Sequence, residues 1–185
     1  MKKNSIAILI LLLVVGWGLY DYSQSNKGQS ATTTQPQQTD GIEIGIKKGN
    51  RAPNFKLLNL EGEEVELSDF IGKKVILNFW ATWCPPCRAE MPHMEKIYSK
   101  NSDEVVVLAV NVTSSEKSSG DVQKFVEDFK LTFPVVMDTD GNVSGKYLVY
   151  AYPTSLMIDS QGIIREVYLG AMNEDMMKKG ISNMN

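Results

Sequence analysis

The sequence predicts an α/β domain, a mixed central sheet with helices on both faces, that begins with an N-terminal hairpin and is preceded by a single N-terminal membrane segment. Three observations carry that prediction. Residues 75–80 and 105–110 are continuous apolar runs of strand length, as expected for strands buried on both faces. Apolar stripes at helical spacing follow them: Met91, Met94, Ile97 and Tyr98 after the first, then Val122, Phe125, Val126 and Phe129 after the second. The chain then ends on a hairpin and a helix, and strand–helix–strand–helix followed by paired strands implies helices packed against a mixed sheet.

The elements follow in order from the N-terminus. Lys2 and Lys3 lead into an uncharged apolar run, residues 6–19. As a helix it spans about 21 Å at ~1.5 Å per residue, short of the ~30 Å hydrocarbon core. Trp17, Tyr20 and Tyr22 extend it into the headgroup layer, where aromatic rings sit well. The leading lysines favour a cytoplasmic N-terminus and so place the rest outside. Residues 1–22 are therefore expected to form a signal-anchor. A cleaved signal peptide is the alternative, but Ser23, Gln24 and Ser25 are a weak substitute for an A-x-A cleavage site. A lipoprotein would need a cysteine at this junction, and none is present.

Residues 23–50 are rich in Ser, Gln, Thr, Asn and Gly and lack apolar periodicity until Ile42, Ile44 and Ile46. Such a composition buries too little surface to offset ordering entropy, so a flexible spacer is expected. The folded domain is assigned to residues 51–185. A hairpin opens it, residues 55–60 turning at Glu61 and Gly62 into Val65 and Leu67, with Ser68 and Asp69 capping a short turn. Val135, Val136 and Met137 read as a short strand ending at Asp138. Residues 154–158 and 163–169 flank the turn Asp159, Ser160, Gln161, Gly162. Residues 173–182 read as a final helix, weakened by Gly180.

Composition narrows the function. The chain has 185 residues, 43% of them hydrophobic, with a formal net charge of −3. Both lysines of the leader precede every acid, so the remainder is more acidic still. Nucleic acid is not an expected partner, because that binding is driven by Lys and Arg contacts to phosphate. Cys84 and Cys87 are the only cysteines. A bridge so short removes almost no chain entropy from the unfolded state, so the pair is catalytic or half of a metal site. Four-coordinate zinc needs more ligands than this pair and the only histidine, His93, supply. No metal and no cofactor are expected.

The pair lies in Trp80, Ala81, Thr82, Trp83, Cys84, Pro85, Pro86, Cys87, where a buried strand runs into a turn and a helix begins. Unpaired N–H groups and a partial positive charge at a helix N-terminus stabilise a thiolate, the reacting form of cysteine. Pro85 and Pro86 suit the first helical turn, where a missing N–H costs little. Three residues on, Cys87 returns to the same side of the helix. Cys84 is therefore expected at the exposed end as the attacking thiol, with Cys87 resolving the mixed disulfide.

Residues 78–92 resemble the active-site region of thioredoxin-like proteins, and are most similar to the bacterial, membrane-anchored, extracytoplasmic ResA/StoA/TlpA group. The resemblance covers roughly residues 51–183. Trp83 matches the tryptophan before the first cysteine, and Pro92 the proline that kinks the active-site helix. Tyr152, Pro153 and Thr154 match the cis-proline segment, which in the family lies against the cysteines and pairs with the substrate backbone. Residues 113–141 resemble the extra helix and strand that this group carries. Asn78 stands where cytosolic thioredoxins have a buried aspartate. Glu90 occupies the position of a glutamate near the ResA-like active site, one helical turn past Cys87. It is assigned to accept the Cys87 proton or to act on the cysteines by like-charge repulsion; the alternative is a solvated helix glutamate. The group can carry a second acid shortly after the strand ending at Asn111 and Val112. Here Ser114 stands nearest with Glu116 beyond, so that role is not carried over.

The resemblance implies a thiol–disulfide oxidoreductase that reduces envelope proteins, such as apocytochrome c before haem attachment (cytochrome c biogenesis) or proteins made during sporulation. Its electrons would come from a membrane thiol donor of the CcdA kind, and a monomer is expected. A disulfide-forming oxidase is the alternative; strong oxidants need a very stabilised thiolate, which Glu90 would oppose. A peroxidase would need Pro at 77 and Thr at 81, where Leu77 and Ala81 stand. A metal-binding chaperone is the non-enzymatic alternative.

Overall fold

The computed structural model describes Trp17, a helical residue, and residues 41–184. Apart from Trp17, the expected anchor lies outside the described residues. Among the described residues no helix is long and apolar enough to cross a membrane.

Seven strands form one sheet: β1 (Lys56–Asn59), β2 (Glu64–Glu66), β3 (Lys74–Trp80), β4 (Val105–Asn111), β5 (Val135–Met137), β6 (Thr154–Ile158) and β7 (Ile164–Leu169). Their spatial order is β2-β1-β5-β4-β3-β6-β7. β3 runs parallel to β4, and β4 to β5, whereas β6 and β7 are antiparallel to their neighbours, as are β1 and β2. The mixed sheet follows from the connections. The β3–β4 and β4–β5 links carry α1 (Pro85–Asn101) and α2 (Ser119–Phe129), long enough for parallel crossovers, whereas the five-residue connection between Ile158 and Ile164 permits only an antiparallel return.

β3 and β4 occupy the middle of the sheet, and their side chains alternate between two buried layers. Ile76 and Trp80 pack with Met91, Met94 and Ile97 of α1, with Val122 and Phe125 of α2, and with Met177 of α4 (Glu174–Ser182). Val75, Leu77 and Phe79 pack on the other face with Phe55, Leu67, Val143 and Tyr147. Each such apolar side chain contributes about 1.5–3 kcal/mol when fully buried. Asn78 lies in the same strand on the α1 side, fully buried, and is the one polar break in this run.

The structure adds α3 (Asn142–Lys146), which the sequence does not announce. Asn, Val, Ser, Gly and Lys include no strong helix former but Lys. The buried Asp138 organises it instead, its carboxylate accepting from the N–H groups of Val143 at 3.1 Å and Ser144 at 2.8 Å. Gly180, expected to weaken the last helix, has a packing reason: a Cβ there would sit 2.6 Å from Cε and 3.1 Å from Cγ of Met157. The smallest residue lets α4 lie close against β6. Of the segment expected to be a spacer, residues 41–50 are described. There Gly49 N–H donates to Ile164 O at 2.8 Å, and Ile46 is partly buried against the core.

Candidate active site

Because β3 is held on both sides by β4 and β6, its C-terminal end is a fixed platform. The chain leaves it at Trp80, turns through Ala81, Thr82 and Trp83, and enters α1 with Cys84 as the N-cap. Cys84 has extended backbone (φ −84°, ψ 110°), and its Sγ accepts from the N–H of Cys87 at 3.2 Å. Sulfur here takes the place of the Ser, Thr or Asp oxygen that usually satisfies a helix's first N–H groups. Cys84 and Cys87 are joined in a disulfide, with Cα atoms 5.3 Å apart. Pro85 and Pro86 fill the first two helical positions, both exposed. Pro92 lies inside the same helix.

The expectation that Cys84 stands at an exposed end needs correction: it is 3% exposed, against 0% for Cys87. The asymmetry has the expected sign, but Cys84 is a shielded sulfur at the surface of the first core layer rather than a projecting one. Ala81 and Trp83 precede it in the loop, and Trp83, itself 52% exposed, supplies the accessible surface. Its indole meets the Tyr152 ring edge-on at 5.7 Å between centroids. The cysteine loop and the Tyr152, Pro153, Thr154 segment are thus brought together. The Tyr152–Pro153 peptide is cis. Pro153 O accepts from Gly170 N–H at 2.8 Å, and Thr154 pairs with Phe79 and Leu169 as β6 begins.

Glu90 is not a solvated helix residue. It is fully buried, with Oε1 accepting from Asn78 Nδ2 at 2.9 Å and Oε2 from the N–H of Met172 at 3.1 Å. Burial pushes its carboxyl up to about 7, against the opposing pull of those two donors. Asn78 Nδ2 also donates to Ser155 Oγ at 2.9 Å, while Asn78 Oδ1, equally buried, has no partner among the described residues. A small cavity of about 170 Å³ opens beside Glu90 between His93, Met172 and Met176. His93 is an exposed helix residue and Trp80 a core residue, its ring 4.8 Å from that of Phe125.

Glu116 is the site residue that sequence reasoning passed over. Its carboxylate accepts from the Thr82 N–H at 2.7 Å, from Thr82 Oγ1 at 2.5 Å and from Asn111 Nδ2 at 2.8 Å. One residue earlier, Ser115 O accepts from the Trp83 indole at 3.0 Å. The turn after β4 therefore grips the loop that presents Cys84. On the other side of that loop Arg88 lies over the rings of Phe125 and Phe129, 5.2 and 5.0 Å from their centroids. The signal in the sequence was an acid within a few residues of Asn111; what hid it was its partner Thr82, 34 residues away. Glu116→Ala is expected to destabilise the protein by about 2 kcal/mol, the scale of hydrogen bonds to a charged group, and to shift the potential of the cysteine couple. Glu116→Gln, which keeps an acceptor, should recover much of both. Urea unfolding and redox titration of the two variants test this, and an unchanged potential in Glu116→Ala would reduce Glu116 to a surface brace.

A dithiol–disulfide pair at a helix N-terminus, with a buried carboxyl one turn on and a cis-proline segment beside it, is equipped for thiol–disulfide exchange. The model of the AhpC/TSA family matches residues 48–167, and the chain belongs to that family as a thiol–disulfide oxidoreductase of the ResA/StoA type with a thioredoxin-like fold. It is 41% identical over 182 residues to the thioredoxin-like protein YneN of Bacillus subtilis, covering 97% of this chain and 96% of that one. It is 43% identical over 134 residues to the thiol-disulfide oxidoreductase ResA of Halalkalibacterium halodurans, covering 72% of this chain and 74% of that one. The crystal structure of StoA from Bacillus subtilis superposes with a TM-score of 0.62 at 34% identity, over 69% of this chain and 96% of StoA.

Proposed function

We propose that this protein reduces disulfides in envelope proteins on the outer side of the cytoplasmic membrane, through the Cys84–Cys87 dithiol. The Cys84 thiolate attacks a substrate disulfide, forming a mixed disulfide and releasing one substrate thiolate. Cys87, its proton passed to Glu90, attacks Cys84 Sγ. The mixed disulfide breaks, the second substrate thiolate leaves, and the Cys84–Cys87 bond closes with two electrons transferred to the substrate. A membrane thiol donor of the CcdA kind returns those electrons. In this reading residues 1–22 anchor the chain, the part of 23–50 that precedes the docked residues 41–50 spaces it from the membrane, and 51–185 carry the chemistry. Trp83, Pro85, Pro86, Tyr152, Pro153 and Thr154 form the surface on which the substrate segment lies. Apocytochrome c and sporulation proteins are the substrates the family suggests.

The observation that supports this direction of flow is the burial of Glu90 one turn from Cys87. An acid that titrates near neutral pH is matched to a thiol that must lose its proton during turnover. When ionised it opposes the strongly stabilised thiolate that a disulfide donor needs.

The equilibrium potential of the couple, measured by thiol trapping of the full-length protein in defined redox buffers, tests the proposal. A value near or below roughly −220 mV is expected for a reductase. A value near roughly −120 mV would make the protein a disulfide donor, and the absence of a reversible couple would remove the redox role.

A further inference from the structure

Asn78 leaves half of its amide unused. Its Nδ2 donates to Glu90 Oε1 and to Ser155 Oγ, both at 2.9 Å, whereas its Oδ1 is buried with no partner among the described residues. Ser155 stands directly across from Asn78 in the β3–β6 pairing, two residues past Pro153. Asn78, Glu90 and Ser155 are all fully buried, so water does not stand in for the missing donor at the surface. A buried carbonyl oxygen left without a donor is costly, and such an atom in a folded protein has a reason.

The chemistry of the three groups supplies that reason. A carboxamide is nearly two-fold in shape, so a half-turn about its Cβ–Cγ bond exchanges Oδ1 and Nδ2 and moves no other heavy atom. An ionised carboxylate only accepts, a protonated one also donates, and a hydroxyl does both. With Glu90 ionised, Nδ2 facing it makes both contacts described above. With Glu90 protonated on Oε1, the same orientation sets N–H against O–H. A half-turn then brings Oδ1 into that place, where it accepts from the Glu90 carboxyl and from the Ser155 hydroxyl. The Met172 N–H stays on Oε2 in both states. One amide atom is left over each time, Oδ1 in the first state and Nδ2 in the second. A group that serves two states of its neighbour is incompletely satisfied in each.

We propose that Asn78 is a positioning residue whose amide turns as Glu90 gains and loses its proton, donating to the carboxylate and accepting from the carboxylic acid, with the Ser155 hydroxyl serving both orientations. The inference rests on the reading of Glu90 as the group that takes the Cys87 proton. In that reading the turn keeps the acceptor hydrogen-bonded before and after the transfer, inside a site that is closed to solvent. Burial pushes the Glu90 carboxyl up to about 7, so both orientations are populated near neutral pH.

The test is a pH titration of the full-length oxidised protein by NMR, following the side-chain amide of Asn78 and the carboxyl carbon of Glu90. Cys87 is held in the disulfide and does not titrate in this form. His93, which lines the cavity beside Glu90 with Ala89, Ala171, Met172, Asn173 and Met176, is the other titratable side chain facing it. The Asn78 amide protons should lose their hydrogen-bonded downfield position as pH falls, with the same midpoint as the Glu90 carboxyl. His93→Gln should leave that transition in place. Glu90→Gln should hold the amide in its low-pH position at every pH, because the new side-chain N–H requires Oδ1 as its acceptor while the Met172 N–H occupies the glutamine oxygen. An Asn78 amide unmoved through the Glu90 midpoint, a transition lost in His93→Gln, or a Glu90→Gln spectrum matching the high-pH form would each overturn the proposal. The titration of the parent protein decides it even if Glu90→Gln does not fold. No turnover is involved, so an amide that stays fixed leaves the reductase reading standing, and the absence of a reversible cysteine couple removes that reading without altering this result.

Discussion

Cys84→Ser is expected to lower disulfide-reductase turnover by more than about a thousandfold, the scale on which loss of a nucleophile acts, whereas Cys87→Ser should leave one attack intact and stop the second. The difference comes from burial and from the helix. Cys87 is fully enclosed beneath the first turn of α1, so an incoming protein disulfide cannot reach it. Cys84 is the N-cap, and its sulfur is the one that the helix's N–H groups face. Attack therefore starts at Cys84, and Cys87 meets only the mixed disulfide made there. In Cys87→Ser that adduct has no resolving thiol and should accumulate to about one equivalent, visible as a reducible mass increase with a substrate peptide. Iodoacetamide should likewise modify Cys84 first in the reduced protein. At the N-cap a serine hydroxyl can still accept from the Cys87 N–H, so Cys84→Ser should unfold at urea concentrations close to the reduced parent, whereas Cys87→Ser buries a hydroxyl in an apolar position and should be less stable by about 1–3 kcal/mol. Adducts formed equally by Cys84→Ser would overturn the division of roles.

Much of this arrangement is readable in the sequence because it depends on local chemistry. The β3 and β4 runs are uninterrupted because both faces of both strands are covered, and Pro85 and Pro86 at the first turn mark where α1 begins. The hairpin of β6 and β7 follows from its four turn residues. What the sequence conceals depends on distant partners. α3 has no helix-forming pattern and exists because the Asp138 carboxylate faces its N–H groups. Glu116 looks like one acid in a polar loop, and becomes part of the site because Thr82 and Asn111 converge on it. The environment of Glu90 is similarly non-local: helical spacing places it one turn from Cys87, but its enclosure requires β3, β6 and the Met172 backbone to meet over it. The sequence left a solvated helix glutamate open at Glu90, and its burial in the fold removes that reading.

Glu90→Gln should change both the stability and the chemistry of the protein in a pH-dependent way. A carboxyl whose pKa stands at about 7 in the fold, against about 4.5 when unfolded, binds more protons in the native state between those values. Its contribution is fully present below about pH 4.5 and is lost as pH rises through about 7, so the oxidised protein should lose up to about 3 kcal/mol across that window. Glutamine does not titrate and should flatten this dependence, as urea unfolding at a series of pH values would measure. The substitution can be accommodated at a pH-independent cost, because the Asn78 Nδ2 group then takes the unpartnered position. Rotation of the Asn78 amide turns its unpartnered Oδ1 into an acceptor for the new glutamine N–H and for the Ser155 hydroxyl, while the glutamine oxygen keeps the Met172 N–H. The catalytic consequence is separate from stability. Without the carboxylate the thiolate titration of the reduced protein, followed at 240 nm or by alkylation rate, should move to lower pH, because a like charge has been removed. Turnover near neutral pH should fall by about 10²-fold, at the lower end of what a positioned acid–base group contributes, because Cys87 loses its proton acceptor. A flattened stability profile with an unchanged thiolate titration would make Glu90 a buried structural acid; a shifted titration with unchanged turnover would leave it an electrostatic neighbour that carries no proton.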